Sequence, residues 1–326
     1  MDLPRWPHEA DPFHDGERAV QARAGSQAHM ADIGRRVMRA EMPDQHRQFF
    51  ELLPFIALGA VTAEGQPRAT LLAGPRPGFV RSPSATRLRI DALPPADDPL
   101  AGLLQPGASI GLLGIELPTR RRNRANGQVA GIDAQGFDVD VTQSFGNCPR
   151  YIQRRARVAV DAVPETVAPA QTQSRLGDEA EALVSAADTF FIATHAGGDA
   201  AHHGSDVSHR GGRPGFVQIS DDGRVLTWPD FNGNGFFNTL GNLHAEPRAG
   251  LVFADFAGGT LLHVEGRAEI VWDGASLRDF AGAERLLRLQ VDTVLHRPAA
   301  WPLRWRLTEP SPALEGTGVW DEGRAA

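Results

Sequence analysis

The chain has 326 residues and a formal net charge of −7, which allows two ordinary domains and argues against nucleic acid as the main partner. It contains no lysine, so all 33 basic residues are arginines, and a Schiff-base enzyme that uses pyridoxal phosphate is excluded. The single cysteine, Cys148, excludes an internal disulfide and a four-cysteine metal site, and we expect it to be a buried structural residue.

The N-terminal region predicts a polar lead-in followed by helix. Residues 26–42 carry apolar side chains at helical spacing, and residues 45–53 predict a second short helix. Neither a signal-peptide pattern nor an apolar run of about 20 residues is present, so we expect a cytoplasmic protein without a membrane partner.

From residue 55 onward, short β-like runs alternate with glycine and proline. These runs are 55–62, 68–73, 78–81, 87–92, 109–117, 127–132 and 137–142. The following segments predict a helix end at 152–160, a linker at 164–177 and a helix at 179–187, before a second series of strands.

The second series of strands repeats the first. Gly-Pro-Arg-Pro-Gly-Phe-Val at 74–80 is matched by Gly-Gly-Arg-Pro-Gly-Phe-Val at 211–217, and Asn-Gly at 126–127 is matched by Glu-Gly at 265–266. Ordered landmarks at a nearly constant offset indicate a duplicated domain. We therefore predict a mainly β protein with flanking helices, built from two tandem six-stranded split β-barrels. The predicted parts are a helical lead-in at 1–45, a first barrel at 46–160, a linker at 161–178 and a second barrel at 179–326.

Several motifs in this order resemble those of a known family. Segments 208–217, 226–230 and 233–242 resemble the FMN-binding half of pyridoxamine 5'-phosphate oxidase-like proteins, and 119–124 and 143–152 resemble other signatures of that group. The resemblance implies a split β-barrel fold, usually dimeric, with FMN at the interface. Residues 12–17 resemble the start of longer relatives with flavin-reductase and ferredoxin-like domains, which we expect this chain to lack. Nothing after 301–305 resembles the substrate-binding end of true pyridoxamine phosphate oxidases, so that exact activity is not implied.

The chemistry of FMN indicates which side chains would hold it. Arg210 offers a guanidinium fork to the phosphate, while Gly211 and Gly212 let backbone amides approach its oxygens. Trp228 would either pack against the flavin ring or fill the core. In the basic run 120–124, strand alternation would send Arg120, Arg122 and Arg124 to one face. The predicted cofactor-binding residues are Ser208, His209, Arg210, Gly211, Gly212, Trp228, Pro229, Asp230, Asn234, Phe237, Asn238, Thr239, Asn147, Arg150, Tyr151 and Arg122.

We predict one composite FMN site per chain, in a flavin-dependent oxidoreductase that acts on an unidentified small molecule. A nicotinamide cofactor or a separate reductase would supply its electrons. The alternatives are a non-catalytic flavin carrier or sensor, and a haem-binding or haem-degrading protein that uses His195, His202, His203 and His209. Deazaflavin F420 could replace FMN, and pairing into a homodimer is left open. No metal site and no catalytic residue is predicted.

Overall fold

A computed structural model describes residues 6–74, 76–160, 168–198 and 203–320. Strands dominate it, as the sequence predicted, and helices flank them. The helices are α1 (Asp15–Arg23), α2 (Gln27–Val37), α3 (Asp44–Glu51), α4 (Asp178–Ala186), α5 (Asn238–Ala245) and α6 (Ala275–Arg278). None of the helices in these residues is both long enough and apolar enough to cross a bilayer.

Two antiparallel sheets form the body of the molecule. The first sheet consists of β1 (Phe55–Val61), β2 (Pro67–Ala73), β3 (Val80–Ser84), β4 (Arg87–Ile90), β5 (Ser109–Glu116), β6 (Arg121–Asp133) and β7 (Gly136–Gly146). Next along the chain come β8 (Arg154–Val158) and β9 (Gln171–Gln173). The second sheet consists of β10 (Thr189–Ala196), β11 (Gly204–Gly211), β12 (Gln218–Ile219), β13 (Val225–Phe231), β14 (Arg248–Ala254), β15 (Leu261–Val271) and β16 (Ala283–Arg297), and it is followed by β17 (Arg304–Glu309).

The two sheets have the same strand order. The first is β2-β1-β5-β6-β7-β4-β3 and the second is β11-β10-β14-β15-β16-β13-β12, with β9 added at β16. Each sheet surrounds a core of its own, to which nearly every strand contributes buried apolar side chains. We call these units the first and second barrel. Each main path has seven strands, where six were predicted.

A third apolar cluster joins the barrels. It contains Phe55 and Leu113 from the first barrel, Phe191 and Val252 from the second, and the fully buried Trp301. Close backbone contact accompanies it, because a Cβ added at Gly111 would lie only 2.8 Å from the Cα of Asp206. The barrels therefore meet face to face with little space between their sheets.

Two local predictions were wrong. The helix predicted at 26–42 ends at Val37, because Arg39 exchanges backbone hydrogen bonds with Ser144 of β7. Residues 152–160 form strand β8 instead of a helix end, since they pair with β17. The predicted linker contains β9, and its residues 161–167 lie outside the described part of the chain. The linker and the other domain boundaries stay predictions.

Candidate functional site

A cavity of about 280 Å³ lies where the two barrels meet. The first barrel contributes β6 and the loop from β7 to β8, and the second contributes β11, the end of β13 and the first turn of α5. The loop between α1 and α2 adds Ala24 and Ser26. The cavity is therefore composite, and neither barrel forms it alone.

Strand alternation places Arg122 and Arg124 of β6 on the cavity side. Arg120, expected on the same face, lies before the strand with a φ of 62°. Its guanidinium donates to the carbonyl oxygen of Ile152 at 2.9 Å and to Glu309 at 2.9 Å, outside the cavity. Two of the three arginines that were expected on one face, Arg122 and Arg124, therefore line the cavity.

Arg124 links the two barrels through contacts with four residues of the second barrel. Its guanidinium forms an ion pair with Asp206 at 3.0 Å and donates to Asn238 Oδ1 at 2.8 Å, to Ser208 Oγ at 2.6 Å and to the carbonyl oxygen of Val207 at 2.9 Å. The side chain is 3% exposed, so its charge is compensated inside the protein.

Arg122 differs from Arg124 in that none of the described carboxylates pairs with it. Its guanidinium donates to the carbonyl oxygen of Cys148, and its Nε is buried without a partner among the described residues. Desolvation, and then the nearby Arg124 charge, lower the pKa of Arg122 to about 9. Arg122 is half-buried, and a cation that is partly removed from water without a counter-ion is costly, so this position favours an anion from outside the chain.

Arg210 lies opposite, on β11, and pairs with Asp230 of β13. Arg285 lies 3.4 Å from the same Asp230 and also pairs with Glu284. Two guanidiniums thus share one buried carboxylate, and the Nε of Arg210 has no partner in the described part of the chain. Asp230 and Glu284 together balance the charge of the two guanidiniums, so this wall offers a donor without a partner but no net charge.

The outer wall combines a cation with two aromatic rings. Arg150 hydrogen-bonds to Asn232, and the Tyr151 hydroxyl donates to the carbonyl oxygen of Asn232 at 2.9 Å. The ring of Tyr151 lies 5.2 Å from that of Phe231, with the planes tilted by 34°. Arg150 forms no ion pair with a described carboxylate, so this wall offers a second uncompensated charge beside flat apolar surfaces.

Helix α5 begins at the cavity, and α1 holds it there. Glu17 of α1 is buried and accepts from the Asn238 side-chain amide at 2.5 Å and from the backbone amide of His14 at 2.9 Å. Burial raises the pKa of Glu17 to about 8. Thr239, in the first turn of α5, has a buried hydroxyl without a partner among the described residues. The helix therefore presents a positive end and a free hydroxyl to the cavity.

Part of the chain matches a known protein family. Residues 176–298, which run from just before α4 to the end of β16, match the family model described as pyridoxamine 5'-phosphate oxidase. The match covers less than half of the chain. A search of curated proteins gave no match.

Solved structures with likeness to the chain come from several bacteria. HupZ of Group A Streptococcus has 15% identity, covering 36% of this chain and 90% of its own, with a TM-score of 0.29. A Lactobacillus delbrueckii protein, proposed to be a pyridoxamine 5'-phosphate oxidase, has 18% identity over 37% of this chain and 93% of its own, with a TM-score of 0.30. A FAD-binding protein of Mesorhizobium loti has 14% identity over 39% of this chain and 97% of its own, with a TM-score of 0.27.

Fourteen of the sixteen residues predicted to bind the cofactor line the cavity. The exceptions both lie in the segment that matches the oxidase family. Gly212 lies beyond the rim, where its amide donates to the carbonyl oxygen of Asp188 at 3.0 Å. Trp228 is fully buried in the second barrel, 5.4 Å from the ring of Phe190, so it fills the core. Neither residue is kept as a ligand contact.

The sequence-based set missed several cavity residues. Arg124 was placed on the correct face but not assigned to the site, and Phe231, Asn232 and Glu284 were not singled out. Phe231 and Asn232 directly follow Asp230, so their place in the chain was a usable signal. Cys148, predicted to be buried, is partly exposed at the cavity wall.

The histidines of the second barrel do not form a metal centre in the described residues. His209 lines the cavity, and burial, followed by the nearby arginines, holds its pKa well below the usual value. His195 bonds Ser205 at 3.2 Å on another part of the sheet, and His202 lies outside the described residues. In the described ranges, no three His, Cys, Asp or Glu side chains are grouped as metal ligands would be.

Proposed function

We propose that the cavity binds FMN and that the protein is a flavin-dependent oxidoreductase acting on a small molecule. One observation carries the proposal, namely that Arg122 lines the cavity without a carboxylate partner in the described chain, together with Arg210, whose Nε has no partner there. Charged donors of this kind suit a phosphate monoester, whose charge is close to −2 near neutral pH. The match of residues 176–298 to the oxidase family supports the same ligand.

The polar atoms without partners support a phosphate at the inner end of the cavity. Nε of Arg122, Nε of Arg210, Nε2 of His209 and the hydroxyl of Thr239 are all buried without a partner among the described residues. Each belongs to a residue that lines the cavity. Buried polar atoms are normally satisfied, so such a concentration favours a ligand rich in acceptor oxygens.

The remaining lining supports the rest of the ligand. Asn147 and Asn234 offer amides suited to a polyhydroxyl chain, and Tyr151 with Phe231 offers an apolar surface for a flat ring. Bound FMN would supply electron or hydride transfer. The chain's own part is to hold the phosphate by arginine, to orient the ring against the aromatic wall and to exclude water from one side of it.

A titration of the purified protein with FMN, followed by flavin fluorescence, tests the proposal. Arg210→Ala removes one charged donor, so we expect about 10- to 100-fold weaker binding, because a hydrogen bond to a charged group contributes about 1.5–3 kcal/mol. The control is Arg306→Ala on β17, which lies outside the cavity lining. Equal losses in the two variants, or no loss in Arg210→Ala, would count against the site.

A non-catalytic flavin carrier is the second candidate. The volume of about 280 Å³ lies below the usual range of about 300–1,000 Å³ and leaves little space for a second reactant. Anaerobic mixing of the flavin-loaded protein with NADH or NADPH distinguishes the two functions. Loss of the oxidised flavin absorbance indicates an oxidoreductase that takes electrons from a nicotinamide, and an unchanged spectrum is expected of a carrier or of an enzyme served by a separate reductase. The same spectrum, with mass analysis of the released ligand, separates FMN from F420 and from haem.

A further inference from the structure

The strand registers show where the duplicated counterpart of the cavity lies. Leu113 pairs with both Ala57 and Arg124, and Val252 pairs in the same way with Phe191 and His263. The register also shifts at equivalent places, after Asn126 in the first barrel and after Glu265 in the second. Every strand position around the cavity therefore has an equivalent position related by the internal repeat.

Two contacts support this correspondence. Arg124 donates to the carbonyl oxygen of Val207 at 2.9 Å, and its equivalent, His263, donates through Nδ1 to the carbonyl oxygen of Ala69, also at 2.9 Å. Likewise, the pair between Asn126 and Asp206 is matched by the ion pair between Glu265 and Arg68 at 2.9 Å. The second position is thus a counterpart of the cavity in its contacts as well as in its strand order.

The counterpart has lost the polar side chains that make the cavity attractive to an anion. By strand register, the equivalents of Arg122, His209 and Arg210 are Leu261, Leu71 and Leu72. Leu261, Leu71 and Leu72 are at most 5% exposed and belong to the apolar clusters. A ligand phosphate would find no arginine at these positions.

At one position, the counterpart carries a charged side chain where the cavity has a neutral one. Asn147, at the cavity wall, corresponds to Arg297 at the end of β16. Arg297 is 2% exposed and pairs with Asp98 at 2.7 Å and with Asp97 at 2.8 Å. Asp98 also accepts from Thr70 Oγ1 at 2.6 Å, and Thr70 is the equivalent of Ser208. The guanidinium of Arg297 and the carboxylates of Asp97 and Asp98 therefore occupy this position.

We propose that Arg297, Asp97 and Asp98 close a second, latent site, in which the Asp98 carboxylate stands between the equivalents of Ser208 and Asn147, where part of a ligand would lie. The cavity ligand is then bound once per chain, while the ion cluster bridges the barrels on the opposite side. The identity of that ligand rests on the proposed function, but the closure by Arg297 does not. His263 leaves the cluster's charge unchanged near neutral pH, because burial lowers its pKa to about 4.

Chemical rescue of a truncated carboxylate tests the proposal. Asp98→Ala leaves Arg297 without its best-buried counter-ion and leaves a space close to the size of formate. We expect this variant of the full chain to melt below the unsubstituted protein, and sodium formate to raise its melting temperature by several degrees more than sodium chloride does at equal ionic strength. The measurement is made in an Arg210→Ala background, so that the cavity does not contribute.

The matched control is Asp98→Ala combined with Arg297→Met, in which formate should have no more effect than chloride. An equal response to formate in all variants would overturn the proposal. If Asp98→Ala does not fold, Asp98→Asn keeps the shape of the side chain and should show the same selective response to formate.

Stoichiometry tests the consequence for the ligand. We expect one FMN per chain at saturation, and two would overturn the closure. A protein that binds no FMN would contradict the proposed function, and the formate experiment would still decide whether the latent site exists.

Discussion

Two arginines two residues apart on β6 behave differently because of the partners each one has. Arg124 has a carboxylate, an amide oxygen, a hydroxyl and a carbonyl oxygen around it, whereas Arg122 has one backbone carbonyl oxygen. Alternation alone would have made them equivalent. The difference arises from the second barrel, which supplies Asp206 and Asn238 to one guanidinium and only an open cavity to the other.

The low pKa of Arg122 predicts a pH dependence of ligand binding. Desolvation lowers this pKa to about 9, so the side chain is charged at neutral pH and loses its charge as the pH rises through 9. The FMN phosphate is already a dianion above pH 7. We therefore expect FMN affinity, measured by fluorescence titration from pH 7 to 9.5, to fall at the upper end of that range. Arg122→Gln should bind more weakly at pH 7 and show little further change with pH, whereas matching curves for the two proteins would contradict this role.

At the scale of elements, the cavity depends on close contact between α1 and α5. A Cβ added at Gly241 of α5 would lie 2.6 Å from the Cα of Glu17, and one added at Gly16 would lie 3.1 Å from the carbonyl carbon of Gly241. These glycines let the helices approach until Glu17 reaches the Asn238 amide. The lead-in helix thus fixes the first turn of the helix that lines the cavity.

Gly241→Ala should separate these two helices. Overpacking of this kind costs about 1–3 kcal/mol of unfolding free energy, and the shift of Asn238 and Thr239 should also weaken FMN binding. Urea denaturation and FMN titration measure the two effects. Gly131→Ala on β6 is the control, since a Cβ there meets nothing within 4 Å. The same stability for both variants would show that the contact between α1 and α5 is unimportant.

The sequence predicted most strands and the repeat, because alternating apolar residues and turn signals are local. Strand β8 was not predictable in this way, since its partner β17 begins at Arg304, far along the chain. Helix α1 was also missed as a separate element, because its capping box uses His14 and Glu17 and not a more common capping residue. Fourteen of the residues that the family motifs indicated line the cavity. Trp228 fills the core instead, because its position depends on tertiary packing that no local pattern encodes.

At the scale of the whole molecule, the barrels are joined by buried apolar contacts as well as by ion pairs. Trp301 is fully buried in the cluster between them, with ring centroids 5.2 Å from Phe55 and 5.6 Å from Phe256. Because the cavity is built from both barrels, its geometry depends on this junction.

Trp301→Ala should lower the free energy of unfolding by about 3–5 kcal/mol, as expected for a large buried aromatic side chain. Urea denaturation measures the change, and FMN binding by the folded variant should weaken as the barrels shift. Leu307→Ala on β17 is the control, because that side chain is 46% exposed and should lose little. A loss below about 1 kcal/mol for Trp301→Ala would mean that the barrels are held together by other contacts.

The central claim is that uncompensated arginines in the cavity between the barrels bind the phosphate of a flavin. Parallel fluorescence titrations of the unsubstituted protein with FMN and with riboflavin, which lacks the phosphate, test this claim most directly. We predict that FMN binds about 100-fold or more tightly than riboflavin, because at least two hydrogen bonds from charged groups are lost without the phosphate. Equal affinity for the two flavins, or binding of neither, would contradict the account.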